Sequence, residues 1–351
     1  MKNTPRRLLV VRTGGLGDVL LALPALRALR KCCGGDHITF LGSSESVAVV
    51  RDEGLWDDLV AFRRSPQRPG GFLCPGRFLE LAWMAGLRRG RFDRLAVLQP
   101  ILSRAGAMRL RVLARLSRAA VTAGRDTDGL GSFYKLRYPE LMDSDMHEVE
   151  RVFGVAALLG ADGPRDAGLR PSAAARHAAE AFLAETGLSG ARPLIGINPG
   201  SFRPTYQWPP ERFAAVASEL CRVSGGSIVL LGAPGEERFE QMPGRAIDGP
   251  VTSAIGKTRL ADLPAFLEAL DLLVTNDTGA MHVAAAVGTP VVAIFARGDP
   301  RRTGPFAPPE RARVVTNHLC GLPNGFGCRD PRCLLNVSVD QVVEAALELL
   351  K

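Results

Sequence analysis

What this 351-residue sequence has little of narrows its class before any motif does. No apolar run reaches the roughly 18 residues of a membrane-spanning helix, and the first seven residues lead straight into a strand-like run rather than a signal-peptide core. A cytoplasmic protein is expected. The seven cysteines are an odd number, with Cys32 beside Cys33 and no Cys-x-x-Cys pair, which excludes a small secreted disulfide framework and predicts reduced thiols. Aromatic residues make up 6% of the chain, and no stacking motif accompanies its basic residues, so a nucleic-acid partner is not expected. Lysine is scarce at five residues against 39 arginines.

What is present is ordinary for a globular protein: 46% hydrophobic and 23% charged residues, in a length that suggests two domains. The charge is unevenly spread. Residues 1–170 carry 27 basic and 18 acidic side chains, whereas residues 171–351 carry 17 and 18, so the formal +8 of the whole chain sits in its first half. Residues 63–118 alone hold 13 arginines against Glu80 and Asp93. Such density attracts anions, although a solvated surface with an arginine bias explains it equally.

Strand-like and helix-like segments alternate, the pattern of parallel sheets wrapped by helices. Strands are predicted at Leu8–Arg12, His37–Leu41, Leu95–Leu98, Leu194–Asn198, Ser227–Leu231, Leu272–Thr275 and Pro290–Phe295. Helices are predicted over Asp18–Arg30, from Pro210, Leu260 and Gly279, and over Asp340–Leu350. A stretch rich in Gly, Pro, Ala and Asp at 161–172 separates two such runs. The expectation is an α/β protein of two doubly wound domains, 1–170 and 171–351, with ligands in a cleft at the carboxyl ends of the strands.

Four strand-end turns carry candidate chemistry. Gly14, Gly15 and Gly17 lead into Asp18, but Leu20 stands where a dinucleotide fingerprint needs its third glycine, and no acidic residue ends the second strand, so a nicotinamide site is not indicated. Asp18 at a helix N-terminus reads either as a cap or as an ionised base. Thr275-Asn276-Asp277-Thr278-Gly279-Ala280-Met281-His282 places small residues at the start of a helix, the shape of a phosphate site, with His282 one turn further in. Ser201 and Thr205 follow the strand ending at Asn198, and Glu236 lies in Gly232-Ala233-Pro234-Gly235-Glu236, where a carboxylate could accept from ribose hydroxyls.

In this order and spacing the turns resemble glycosyltransferase family 9, the group of ADP-heptose:lipopolysaccharide heptosyltransferases. The resemblance runs through Leu16-Gly17-Asp18-Val19, Pro24-Ala25-Leu26, His147 to Arg151, Asn198-Pro199-Gly200, Trp208-Pro209, Gly256-Lys257-Thr258 and above all Asp277-Thr278-Gly279-x-x-His282-x-Ala284-Ala285. It implies a GT-B fold of two Rossmann-like domains, acceptor-binding first and nucleotide-sugar-binding second. It also implies an inverting, metal-independent transfer in which Asp18 is the base. Asp277, Thr278, Gly279 and His282 would hold the pyrophosphate, with Ser201 and Thr205 at the donor site, Glu236 on the ribose and Lys257 near the nucleotide. No cofactor is implied; the nucleoside-diphosphate sugar, ADP-heptose by family preference, is a substrate. The acceptor would be a lipopolysaccharide-core or other anionic envelope saccharide or glycolipid at the cytoplasmic face of the inner membrane. The sequence departs from the family pattern at Tyr206-Gln207, where a basic residue, usually Lys, is common. That departure leaves open a different acceptor, including a small molecule, another nucleotide sugar, or a noncatalytic nucleotide-sugar binding protein.

Three further patterns stand outside these turns. Asp126 to Asp128 and Asp143 to Asp145 are Asp-x-Asp triplets in polar, loop-like sequence. His318, Cys320, Cys328 and Cys333 invite zinc but lack knuckle spacing, and no metal site is assigned. Arg104, Arg111, Arg115 and Arg118 fall on one face of a predicted helix with Leu102, Ala105, Val112, Leu113 and Leu116 toward the core, an acceptor-binding or membrane-facing surface.

Overall fold

The computed structural model describes residues 5–62, 91–142, 144–201, 206–241, 247–295, 298–317 and 332–351. The chain divides into two compact units, Met1–Ala167 and Gly168–Lys351.

The first unit runs β1 (Arg7–Arg12), α1 (Leu16–Leu20), α2 (Leu23–Cys32), β2 (His37–Ser43), α3 (Ser44–Val50), β3 (Asp58–Phe62), β4 (Arg94–Val97), α4 (Arg104–Ser117), β5 (Val121–Thr127), β6 (Leu136–Glu140) and α5 (Glu148–Ala157). Its strands form one parallel sheet in the order β3-β2-β1-β4-β5-β6. Leu8 to Val11 and Leu95 to Val97 are fully buried, as strands covered on both faces must be.

The second unit runs α6 (Ala173–Glu185), β7 (Leu194–Asn198), α7 (Pro210–Ser224), β8 (Ser227–Leu230), β9 (Val251–Ser253), α8 (Leu263–Glu268), β10 (Leu272–Asn276), α9 (Gly279–Val287), β11 (Val291–Phe295), α10 (Pro300–Thr303), β12 (Ala312–Thr316), α11 (Arg332–Leu335) and α12 (Val339–Leu349). Its parallel sheet is ordered β12-β11-β10-β7-β8-β9. Counted from its own first strand, this is the order of the first unit. In each, two neighbouring strands lead to helices on opposite sides, β1 with β4 and β7 with β10. A crevice opens at such a switch point, at the carboxyl ends of the strands. α12 packs on α7 and β12, with Val342, Val343 and Ala346 in the second unit's core.

Three expectations are corrected. The single helix predicted over Asp18–Arg30 is two, α1 and α2, broken at Leu21-Ala22. Pro24 has no N–H to give the carbonyl of Leu20, and its ring crowds that carbonyl, so it is tolerated only in the first turn of a new helix. The helix predicted from Leu260 starts at Leu263 with Asp262 as its N-cap and Pro264 in its first turn. Asp126 lies in strand β5, not in a loop. Its Oδ1 accepts from the Gly131 amide at 2.7 Å while Asp128 Oδ1 accepts from the Met142 amide at 3.2 Å, so both carboxylates are occupied in tying a turn. Asp143 lies outside the described residues.

Candidate functional site

In the first unit the sequence Leu8-Leu9-Val10-Val11-Arg12 ends a buried strand on an arginine, and the chain turns through Thr13-Gly14-Gly15 into α1. Thr13 donates from its amide and its hydroxyl to Gln99 Oε1, at 3.0 and 2.7 Å, which fixes the β1 turn to the loop after β4 across the switch point. Asp18 folds back over this turn: the Gly15 amide donates to its Oδ2 at 2.6 Å. A Cβ on Gly14 would stand 2.2 Å from that same oxygen, so the carboxylate occupies space that only glycine leaves. Arg12 Nη2 donates to the other oxygen, Oδ1, at 2.8 Å. The Asp18 side chain remains 46% exposed. It is a carboxylate held by one donor on each oxygen, with lone pairs to spare and a face open to solvent.

Behind Asp18 lies a chain of charges that motif reading missed. Arg12 Nη2 also donates to Glu148 Oε1 at 2.7 Å, and Arg12 Nη1 to the Leu98 carbonyl at 2.9 Å. Arg125 donates to both Glu148 oxygens, at 2.5 and 3.0 Å, and its Nε to Glu140 Oε2 at 2.9 Å. Arg151 closes the series 3.7 Å from Glu140. Burial works to raise the Glu148 carboxyl, but the Arg12 and Arg125 charges outweigh it and hold it below the ordinary carboxylate range. Burial likewise works to lower Arg125, and Glu148 and Glu140 outweigh it, so that its guanidinium is raised. The available signal was local: an arginine ending an apolar strand demands a buried counter-charge.

In the second unit the carboxyl ends of β7 and β10, paired at Asn198 and Thr275, carry a network of amides and hydroxyls. Asn198 Nδ2 donates to Thr275 Oγ1 at 3.0 Å and to Thr278 Oγ1 at 3.3 Å. Asn276 Nδ2 donates to the Pro199 and Gly200 carbonyls at 2.9 and 3.2 Å, and Asn276 Oδ1 accepts from the Trp208 amide at 3.0 Å. Two loops are thereby stitched to the end of β10. Thr278 sits at the N-cap of α9 but its side chain makes no capping bond, which leaves the first amides of that helix directed outward at the positive end of its dipole. This is an anion-binding arrangement. His282 is buried one turn in, and burial pushes the Asp277 carboxyl up to about 6.

Glu236 comes to the same edge from β8. Its Oε2 accepts from the Ala233 amide at 2.8 Å, and a Cβ on Gly200 would lie 2.5 Å from its Oε1, so Gly200 is what lets the carboxylate reach the β7 turn. Glu236 leads into a 3-10 turn, Glu237–Phe239. The Gly256 amide donates to the Gly232 carbonyl at 3.1 Å, bringing the 256–258 turn alongside. Lys257 is exposed, its Nζ donating to the Ser253 carbonyl at 3.0 Å. Ser201 is partly buried and its carbonyl accepts from Gln207 Nε2 at 3.4 Å; Thr205 lies outside the described residues. Trp208 is fully buried, stacks edge-on with Phe213 and donates from Nε1 to the Val337 carbonyl at 3.1 Å, so the Trp208-Pro209 pair is part of the core.

Residues 81–324 match the model of glycosyltransferase family 9 (heptosyltransferase). The chain belongs to glycosyltransferase family 9. Among curated proteins, this family 9 chain is 34% identical over 140 residues to lipooligosaccharide heptosyltransferase 2 of Haemophilus influenzae, 38% of the chain and 39% of the relative. It spans about two fifths of the length of this relative and of the lipopolysaccharide heptosyltransferases 2 of Salmonella typhimurium and Escherichia coli. A solved structure of the glycosyl transferase family 9 from Veillonella parvula is 26% identical with a TM-score of 0.78, covering 100% of this chain and 98% of that one. E. coli ADP-heptose lps heptosyltransferase II superposes with a TM-score of 0.74 at 20% identity, over 98% of each chain, which shows the shared GT-B fold.

The arginine face of this family 9 protein differs from the expected one. Arg104 and Arg115 are exposed on α4, but Arg118 lies beyond the helix as its left-handed C-cap. Arg111 points inward, its guanidinium 5.4 Å from the centre of the Phe133 ring. The buried side is Leu110, Leu113 and Ser117, with Ala107 and Ala114 packed beside it, whereas Leu102 and Ala105 are exposed. Ser103 is the N-cap, so Leu102 precedes the helix and never joins its apolar stripe. The arginines between 63 and 90 lie outside the described residues, as do His318, Cys320 and Cys328; Cys333 is buried in α11. Among the described residues no three His, Cys, Asp or Glu side chains gather closely enough to hold a metal ion. None of the described helices is long and apolar enough to cross a membrane.

Proposed function

We propose that this family 9 protein is an inverting, metal-independent glycosyltransferase that moves a heptose from ADP-heptose to a lipopolysaccharide-core or other envelope saccharide. The observation that carries the proposal is the Asp18 carboxylate, fixed through both oxygens at the switch point of the first unit and still open to solvent. A carboxylate so held can take the proton from an acceptor hydroxyl as that oxygen attacks the anomeric carbon. One displacement inverts the sugar and releases the nucleoside diphosphate. The developing negative charge on the pyrophosphate would meet the open amides of α9, with Thr278, Gly279 and His282 around it, and this fixed positive potential supplies what a metal would otherwise provide. Glu236 would accept from the ribose hydroxyls and Lys257 would turn from Ser253 toward the phosphates.

The names of similar proteins support the donor and acceptor. Relatives carry the description lipopolysaccharide heptosyltransferase 2, and E. coli heptosyltransferase WaaC was solved with ADP. This reading carries with it a cytoplasmic location, with the acceptor presented at the inner face of the inner membrane.

Replacing Asp18 by Asn is expected to lower turnover by about 10² to 10⁴-fold, the usual worth of a general base, while nucleotide-sugar binding in a thermal-shift assay is retained. Undiminished turnover in D18N removes the base assignment. A second reading, a noncatalytic nucleotide-sugar binding protein, is favoured by Gln207, whose amide is engaged with the Ser201 carbonyl where the family commonly has a cation. A panel of ADP-, UDP-, GDP- and dTDP-sugars separates the two. Nucleotide release with a saccharide acceptor supports the transferase; stabilisation without release across a range of acceptors supports the binding protein.

A further inference from the structure

We propose that Arg12 is a positioning residue for Asp18, and that Glu148 is the counter-charge that holds Arg12 and keeps it from quenching the base. The inference rests on Asp18 being the base of the reaction proposed above. It starts from the shape of the charge chain. Asp18, Arg12, Glu148, Arg125, Glu140 and Arg151 alternate in sign and sum to zero. Five of the six side chains are 12% exposed or less, and Asp18 alone is 46% exposed. The chain therefore has one solvent end, and that end is the carboxylate.

A buried ion series is a poor device for stability alone, because well-packed apolar residues do as well or better. Its value here is geometric. Arg12 is fixed by acceptors on three segments: the Leu98 carbonyl beyond β4, the carbonyl and Oδ1 of Asp18 on α1, and Glu148 on α5. A planar guanidinium so clamped has one orientation, and it imposes one orientation on the carboxylate. Its charge also has a cost, since a lone cation beside Asp18 would weaken it as a proton acceptor. Glu148 shares Nη2 of the same guanidinium, so the Arg12 charge is divided between two carboxylates. Among the described residues, the charged groups linked to Asp18 are thus Arg12 from β1 and, behind it, Glu148 from α5 and Arg125 from β5.

The experiment uses the full chain with a nucleotide-sugar donor and a saccharide acceptor. It compares kcat, donor KM and the pH profile of kcat/KM for wild type, R12K, R12M, E148Q and G14A. R12M is expected to lose about 100-fold in kcat, the scale of a misplaced catalytic group, with donor KM unchanged. Its acid limb should move to higher pH, because a cation beside the base is gone. E148Q should move that limb the other way, because Arg12 is left uncompensated. R12K should recover part of the rate. G14A displaces the whole Asp18 carboxyl group without altering any charge, so kcat should fall while Arg12 stays paired with Glu148; R12K keeps the test decisive if R12M does not fold. Folded R12M and R12K with wild-type kcat and an unmoved limb overturn the positioning role. Limbs that move in the same direction in R12M and E148Q overturn the counter-charge role. D18N keeps the two levels apart: full turnover there removes the base itself, whereas an inactive D18N beside unaffected Arg12 variants removes only this inference.

Discussion

Asp277 combines two demands that conflict at neutral pH. Its carboxyl is raised to about 6 by burial at the end of β10, beside the helix N-terminus proposed to receive a pyrophosphate. Above that pH it is ionised and repels the donor's charge; below it the repulsion vanishes. Donor affinity of the wild type should therefore strengthen as pH falls from 8 to 6, and the part of that dependence owed to Asp277 should disappear in Asp277→Asn. Stability carries the same sign. The folded value lies above the ordinary 3.8, so the folded state holds the proton more tightly and loses stability as pH rises from about 4 through about 6. Asp277→Asn should be about 1 to 3 kcal/mol more stable than wild type at pH 8. The gap should close below pH 4, and thermal melts across this range that show no such closing gap would contradict the assignment. At this scale the sequence was informative where chemistry is local. Gly14 and Asp18, and the run from Asp277 to His282, are spaced within one turn, and backbone geometry does the rest. Arg12 and Glu148, 136 positions apart, meet only through the sheet, and no spacing rule reaches that far.

Elements were legible in proportion to their burial. β1, β7, β10 and β11 are continuous apolar runs because both faces are covered, and each was found within about a residue of its ends. β6, Leu-Arg-Tyr-Pro-Glu, is an edge strand that alternates between partly buried and exposed positions, with Pro139 tolerable only at an edge, and its sequence carries no apolar run to mark it. β5 escaped too, because its buried polar residues Arg125 and Thr127 serve the charge chain rather than an apolar core. α4 shows how a correct helix can be given the wrong face. Seven- and four-residue spacing put Arg111 with the exposed arginines, yet Phe133 and the small Ala107 and Ala114 make room for it inside. Arg111→Ala should therefore destabilise the fold by about 1 kcal/mol through lost packing and cation–π contact. Arg104→Ala and Arg115→Ala should stay within about 0.5 kcal/mol of wild type in denaturant unfolding, as exposed sites do. Equal losses at all three would restore the single exposed face.

For the whole molecule, the repeated sheet order explains why the fold class could be read early: alternating strands and helices leave few parallel-sheet solutions, and the restart after residue 172 signals the second. The +8 divides with the structural boundary at Ala167, 26 basic and 18 acidic side chains before it and 18 of each after it. A neutral second unit gathers its positive potential from the α9 amides, whereas the first unit carries its potential on exposed arginines. On α4 and just before it those arginines stand with exposed apolar side chains, Met108 at 58% on the helix and Leu102 at 59% ahead of its N-cap. We propose that this basic and apolar surface meets the face of an anionic bilayer, where each arginine would contribute about 1 kcal/mol. Neutralising Arg104, Arg115 and Arg118 together should weaken binding to vesicles rich in anionic lipid by tenfold or more at low ionic strength, and added salt should shrink the difference. Nucleotide-sugar stabilisation should be untouched, because none of the three belongs to the second unit. Vesicle affinity that is indifferent to both salt and substitution would return the surplus charge to an ordinary solvated surface and leave the acceptor to be recognised by uncharged contacts.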